Sequence, residues 1–180
     1  MADSDRESDG PAHSVECDFR SIPALEDPIS AMRTEEFEEA VMQLVAWTRE
    51  YNLDAKKTVS ISAVDIHKCY ATTSSVYLQL DNDVQVFYSP SFQVPVLYFP
   101  YNTKSTEFGE GKISYTEHPI TGLPCLFLHP CQTAAVMKEM PFVENYLWAW
   151  LAVYVKDVPA LTIPMEFFSK SPRSISGGTG

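Results

Sequence analysis

Glycine is scarce: the 180 residues hold seven, and neither GxGxxG nor GxxxxGK[ST] occurs. Phosphate cradles need such glycines so that backbone N–H groups can close on the ligand, so no nucleotide cofactor is expected in this chain. The Gly-x-Ser-x-Gly turn that presents a hydrolase serine is missing as well. There are four cysteines, Cys17, Cys69, Cys125 and Cys131, with no C-x-x-C pair. That excludes a dense disulfide framework. Taken with His118 and His129 it also fails the ligand spacing of zinc, so no metal is expected. No apolar run approaches the ~20 residues that span a bilayer, so membrane insertion is not expected. Basic charge is thin, with 13 Lys and Arg against 24 Asp and Glu, and no basic stripe is present. Nucleic acid is therefore an unsuitable partner, and so is an anionic membrane surface. The acidic, polar first ten residues do not resemble a signal peptide, and the unpatterned thiols suit a reducing compartment. A cytoplasmic protein is expected.

What is present is enough for one folded domain: 45% of residues are hydrophobic and only 21% charged. Residues 1–28 hold Ser, Asp, Glu and three prolines without periodicity, and read as an acidic disordered tail. The domain is placed at 29–168, with a flexible end at 169–180. A helix is predicted over Thr34–Tyr51, capped by Thr34 and loaded with Glu35, Glu36, Glu38 and Glu39 where the dipole favours negative charge. Phe37, Ala40, Val41, Leu44, Val45 and Thr48 recur on one helical face and read as core.

From Thr58 the period becomes two. Val59, Ile61 and Ala63 alternate with serines, and the phase slip at Val64-Asp65-Ile66 marks a bulge or a strand end. Val76, Leu78 and Leu80, then Val84, Val86 and Tyr88, alternate about the polar Asp81-Asn82-Asp83, a hairpin signal. Phe92–Phe99 follows as a strand interrupted by Pro95, whose missing N–H predicts an edge or a bulge. The result is a helix followed by a four-stranded antiparallel meander. Residues 100–112 read as a loop, and Ile113–Tyr115 as a short extended return. Helices are predicted from Gln132 to Met140 and from Val143 to about Val155, and Leu161–Phe168 is predicted to pack back in extended form. The class is α+β.

The chemistry concentrates at Leu126-Phe-Leu-His129-Pro130-Cys131-Gln132-Thr133. Pro130 fixes its own φ and pushes His129 to extended geometry, so the position of Cys131 is stiffly set. If Gln132 opens a helix, free N–H groups would favour a thiolate there. From these residues alone Cys131 is either a nucleophile or one more small buried hydrophobe. A cysteine-protease reading lacks the local signatures of those enzymes.

His118-Pro119-Ile120-Thr121-Gly122-Leu123-Pro124, then Phe127-Leu-His-Pro-Cys-Gln-Thr133 and Val136-Met137, resemble the catalytic region of the autophagy E2-like conjugating enzymes. Tyr88–Phe99, Asn145–Leu151 and Leu161–Pro164 are similar to that family's strand pair, closing helix and terminal segment. The resemblance covers about residues 33–168. It implies a ubiquitin-conjugating (E2-like) α+β fold with an N-terminal helix, the meander and C-terminal helices. It also implies a reaction: the E1-like autophagy-related protein 7 passes the ubiquitin-like autophagy-related protein 12 to Cys131 as a thioester, and a lysine of autophagy-related protein 5 receives it. A relative of the autophagy-related protein 3 kind, with a lipid amine as acceptor, and a catalytically silent scaffold are the alternatives.

Two departures bear on the site. Ordinary ubiquitin-conjugating enzymes carry Asn after the His-Pro pair to support the transition state, and here Ile120 stands there. His129, Tyr115, Asn102, Thr133 and backbone N–H groups after Cys131 are the candidate supports. The spacing from His118-Pro119 to Cys125 imitates the ordinary pattern, but Cys125 lies inside the apolar run, where burial raises a thiol pKa. It is assigned to structure. Tyr88, Phe92, Tyr98 and Tyr101, on or near the proline-interrupted strand, either accept a partner by strand addition or fill the core.

Overall fold

A computed structural model of the chain describes residues 31–54, 58–67, 69, 72–101, 112–140, 145–155, 158, 161 and 163–169. The tails expected at 1–28 and 169–180 lie outside these residues apart from Ser169, as does the loop expected at 100–112 apart from Pro100, Tyr101 and Lys112.

Helix α1 runs over Thr34–Asp54 and buries Phe37, Ala40, Val41, Leu44, Val45 and Thr48, the stripe that the 3.6-residue period picks out. Its start differs from expectation. Thr34 is already helical and its hydroxyl meets that of Thr73 at 2.6 Å. Glu36 supplies the cap instead, taking the Arg33 N–H at 2.7 Å and gripping the Arg33 guanidinium from the same side chain. This is the reach-back half of a capping box, and it outcompetes a hydroxyl that has a partner across the fold. Further along, Glu38 accepts the Ser75 N–H at 2.6 Å and tethers the connection between the first two strands to α1. That bond holds its carboxyl below the usual range.

The sheet has strands β1 Ile61–Asp65, β2 Val76–Leu80, β3 Gln85–Ser89, β4 Val94–Pro100, β5 Ile113–Glu117 and β6 Pro124–Leu128. Their order is β1-β2-β3-β4-β6-β5, antiparallel throughout. The expected meander is β1–β4. The phase slip at Val64 is a strand end, because β1 pairs without interruption from Ile61↔Leu80 to Asp65↔Val76. The β5–β6 hairpin adds itself to the far side of the meander, with β6 against β4. So β4 is not an edge. It tolerates Pro95 because β6 reaches only Tyr98–Pro100, leaving the first half of β4 with β3 as its strand partner.

Register sorts the side chains onto two faces. Leu78, Val86, Tyr88, Leu97, Phe99 and Leu126 share the face that forms the main core with α1 and the C-terminal helices. Phe87, Val96, Tyr98, Phe127 and Cys125 take the other face.

After β6 the chain makes a 3-10 turn at Pro130–Gln132 and enters α2, Thr133–Lys138. Helix α3 spans Tyr146–Tyr154. Buried Asn145 caps it by accepting the Trp148 N–H at 2.9 Å, and its amide donates to Gln43 of α1 at 2.9 Å, so one side chain both starts α3 and docks it. The expected extended return ends differently. Pro164 leads into α4, a single turn over Met165–Phe168 that buries Phe167 and Phe168. One turn is too short to carry a period, so nothing in the pattern distinguishes it from a strand. No helix among the described residues is long and apolar enough to cross a membrane.

Candidate active site

The thiol of Cys131 is where a sheet strand is forced to become a helix. His129, at φ −65° and ψ 123°, still belongs to the hairpin, its N–H bonding the Lys112 carbonyl at 2.8 Å. Pro130 then opens the 3-10 turn as its first residue, where a missing N–H costs nothing. Pro130 is buried, so the turn is pinned from beneath, while Cys131 on its crest is exposed. Thr133, buried at the head of α2, donates its N–H to the Pro130 carbonyl, and its hydroxyl accepts from that of Tyr154 on α3 at 3.3 Å. Cys131 is therefore held from the sheet, the core and α3.

Cys125 has the opposite surroundings. It is 4% exposed, between Pro100 and Thr116 in the sheet, and burial pushes its thiol pKa up. A nucleophile must be reachable and able to ionise. Of the two, only Cys131 is reachable.

His118 organises the turn between β5 and β6. Its Nδ1 accepts the N–H groups of Ile120 and Thr121, each at 3.2 Å, so the neutral ring carries its proton on Nε2. Nε2 meets Gln85 Oε1 at 2.6 Å, and the ring stands edge-to-face with Phe87. The imidazole thus folds the turn back across the sheet to β3. Gly122, at φ +67°, closes the turn in a conformation that side chains disfavour. Ile120, in the place of the ordinary asparagine, is an exposed apolar side chain with no amide to offer.

Burial pushes the His118 pKa below its usual 6.5. The unfolded chain therefore takes up the proton first. The stabilisation is complete above about pH 6.5 and is lost as pH falls through the lowered folded value. Urea unfolding should show wild-type stability falling between pH 7.5 and 5.5, and His118→Gln should flatten that slope while costing about 1–2 kcal/mol at neutral pH. An unchanged slope in the variant would assign the dependence to another group.

The remaining expected residues are scattered. Tyr115, on β5, is 66% exposed and pairs its ring with that of Tyr101, itself 62% exposed, at 5.6 Å. Asn102 lies outside the described residues. The aromatic docking strip does not exist as a single surface, because β4 is interior. Tyr88 is buried with its hydroxyl on the Met32 carbonyl at 2.8 Å. Tyr98 stacks on Phe127, and burial pushes its phenol to about 12. Phe92 turns toward His129, which leaves Tyr101 as the exposed member. Backbone amides are also committed: the N–H of Cys131 donates to His129 Nδ1 at 3.3 Å and that of Thr133 to Pro130. Sequence reasoning missed Tyr154 and Phe127 as neighbours of the site. Tyr154 reaches Thr133 from a separate helix, 21 positions away, and the contact of Phe127 with His129 depends on how the chain turns after β6.

Residues 104–164, from ahead of β5 through α3, match the family model described as autophagocytosis associated protein, active-site domain. Over that segment the chain resembles the autophagy E2-like proteins. Its α+β fold is E2-like accordingly. Among its relatives is the ubiquitin-like-conjugating enzyme ATG10 of Homo sapiens, 32% identical over 47% of this chain and 51% of the relative. That of Dictyostelium discoideum is 27% identical over 48% of this chain and 53% of the relative. That of Gibberella zeae is 42% identical over a shorter stretch, 31% of this chain and 24% of the relative. The chain spans about half the length of the first two relatives it matches. Within the E2-like family match fall both the His118 turn and the Cys131 turn, the two features the geometry singles out.

Proposed function

We propose that the chain is an E2-like transferase acting in the cytoplasm, with Cys131 as its nucleophile. In the first step the Cys131 thiolate attacks the thioester carbonyl of autophagy-related protein 12 carried by autophagy-related protein 7, whose own thiolate leaves. In the second, a lysine amine of autophagy-related protein 5 attacks the new thioester, an isopeptide forms, and the Cys131 thiolate leaves with the amine's proton released to solvent or a base. No cofactor is needed, since activation has occurred upstream.

One observation carries the reading: Cys131 is an exposed thiol on a turn pinned from three sides, inside the segment that resembles the family's active-site domain. The N–H groups of Cys131 and Thr133 are engaged, so side chains are our candidates for the transition-state support that the absent asparagine would give. Tyr115, the exposed hydroxyl on β5, and Asn102 are our candidates for it, and Tyr101 beside Tyr115 our candidate partner contact.

The test is reconstituted charging with activating enzyme, ATP and modifier, followed by addition of acceptor. The expected product is a reductant-labile adduct mapped to Cys131, which then moves to a lysine of autophagy-related protein 5. Transfer to a phosphatidylethanolamine vesicle alone would favour the lipid-conjugating kind of relative. No adduct at all would favour a silent scaffold.

A further inference from the structure

His129 precedes Cys131 by two residues, which invites a role as the base that takes the thiol's proton. The geometry gives its ring another task. Nδ1 accepts the backbone N–H of Cys131 at 3.3 Å, and a nitrogen that accepts holds no proton, so the neutral ring keeps its proton on Nε2. His129 is also the extended residue just ahead of the 3-10 turn, the cap position where a side-chain acceptor satisfies an N–H with no partner inside the turn. Asn, Asp, Ser and Thr are the usual occupants of that position. An imidazole can serve only if something fixes its plane, since its acceptor is one atom of a large ring.

Two rings do this. Phe127, the penultimate residue of β6, lies 5.7 Å from the imidazole centroid at 43°, and Phe92 lies 6.0 Å away at 75°. Phe92 comes from the β3–β4 turn, far away in sequence, and that turn is itself secured. Gln93 takes a left-handed φ of 55°, its N–H bonds the Ser89 carbonyl at 2.7 Å, and its carbonyl takes the Met32 N–H at 2.8 Å.

We propose that His129 is a positioning residue for Cys131: its imidazole caps the nucleophile's own N–H and so aims the thiol, with Phe92 and Phe127 holding the ring. The proposal rests on the transfer reading above and deepens it. On this account His129 acts through the backbone, and proton transfer from the thiol is not its task. Two requirements follow: a different cap acceptor can replace it, and loss of Phe92 weakens it.

Two measurements test this. Amide hydrogen exchange at Cys131, followed by NMR, reads the cap whether or not the protein transfers anything. Single-turnover discharge of the charged form reads its consequence. His129→Ala should speed Cys131 exchange and slow discharge by about fivefold each, the shift that loss of a cap brings. His129→Asn, whose side-chain oxygen can cap, should restore both to within about twofold of wild type. Phe92→Leu should fall between them, and it guards against a His129→Ala variant that fails to fold. Discharge as slow in His129→Asn as in His129→Ala would overturn the proposal in favour of proton transfer by the imidazole. Wild-type behaviour of His129→Ala in either measurement would overturn it too. A wild type that takes no adduct would overturn the transfer reading and the catalytic consequence with it, and is distinguishable because the Cys131 amide would still be protected.

Discussion

Cys131→Ala should leave no reductant-labile adduct, Cys131→Ser should trap a reductant-resistant ester, and Cys125→Ser should charge like the wild type. The argument is one of access and ionisation. Cys131 stands exposed on a turn, and its oxygen analogue keeps the geometry while losing the thiol's nucleophilicity and its ability to leave. Cys125 sits between two strands at 4% exposure with its thiol pKa pushed up by burial, so it cannot meet another protein's thioester without opening the sheet. Its replacement should be felt as stability instead. A hydroxyl in that place costs about 1–3 kcal/mol unless it finds a partner, and urea unfolding measures it. Gel analysis with and without reductant, and mass mapping of the adduct, decide the matter. An adduct that survives Cys131→Ala and disappears in Cys125→Ser would reverse the assignment.

How far such a site can be read in advance depends on the range of the interactions that build it. The α1 stripe was legible because each member sees the same core through a fixed period. The meander was legible for the same reason at period two. The β5–β6 hairpin was not, since Ile113–Glu117 is half-exposed and Pro124–Leu128 begins with a proline, so neither shows a clean alternation. Missing that hairpin misplaced the sheet edge at β4, and with it the aromatic residues expected to dock a partner. A proline within a strand predicts an edge or a bulge, whereas Pro95 needs only half a strand without a second neighbour. At the site itself, the local part was legible: Pro130 does extend His129 and stiffen the turn. The tertiary part was not. Neither the approach of Phe92 to His129 nor the reach of His118 to Gln85 leaves a trace at fixed spacing, because each joins residues about 33–37 positions apart. Cys125 and Cys131 were separable because burial follows from the run that contains one and ends before the other.

The last turn of the fold should prove the most costly to disturb: Phe167→Ala is expected to destabilise the domain by about 3–5 kcal/mol. Helix α4 has four residues, too few to be stable by itself, so it exists only because Phe167 and Phe168 are buried. Phe167 is fully buried, with Tyr51 at 5.1 Å edge-to-face, Phe168 at 5.2 Å and Trp47 at 6.3 Å. No hydrogen bond reinforces the contact with Trp47, whose buried indole N–H has no partner among the described residues. The layer is held by apolar area and ring geometry, and removing the central ring leaves a cavity among rigid neighbours that cannot collapse into it. Against a total stability of about 5–15 kcal/mol, that loss is a large fraction. Phe168→Ala should cost less, since Phe168 is 9% exposed and its truncation can be partly filled by solvent. Urea midpoints of the two variants at constant m-value provide the comparison. A Phe167→Ala cost below about 1 kcal/mol would mean that α4 does not close the core, and the extended arrangement anticipated for Leu161–Phe168 would then be the better description.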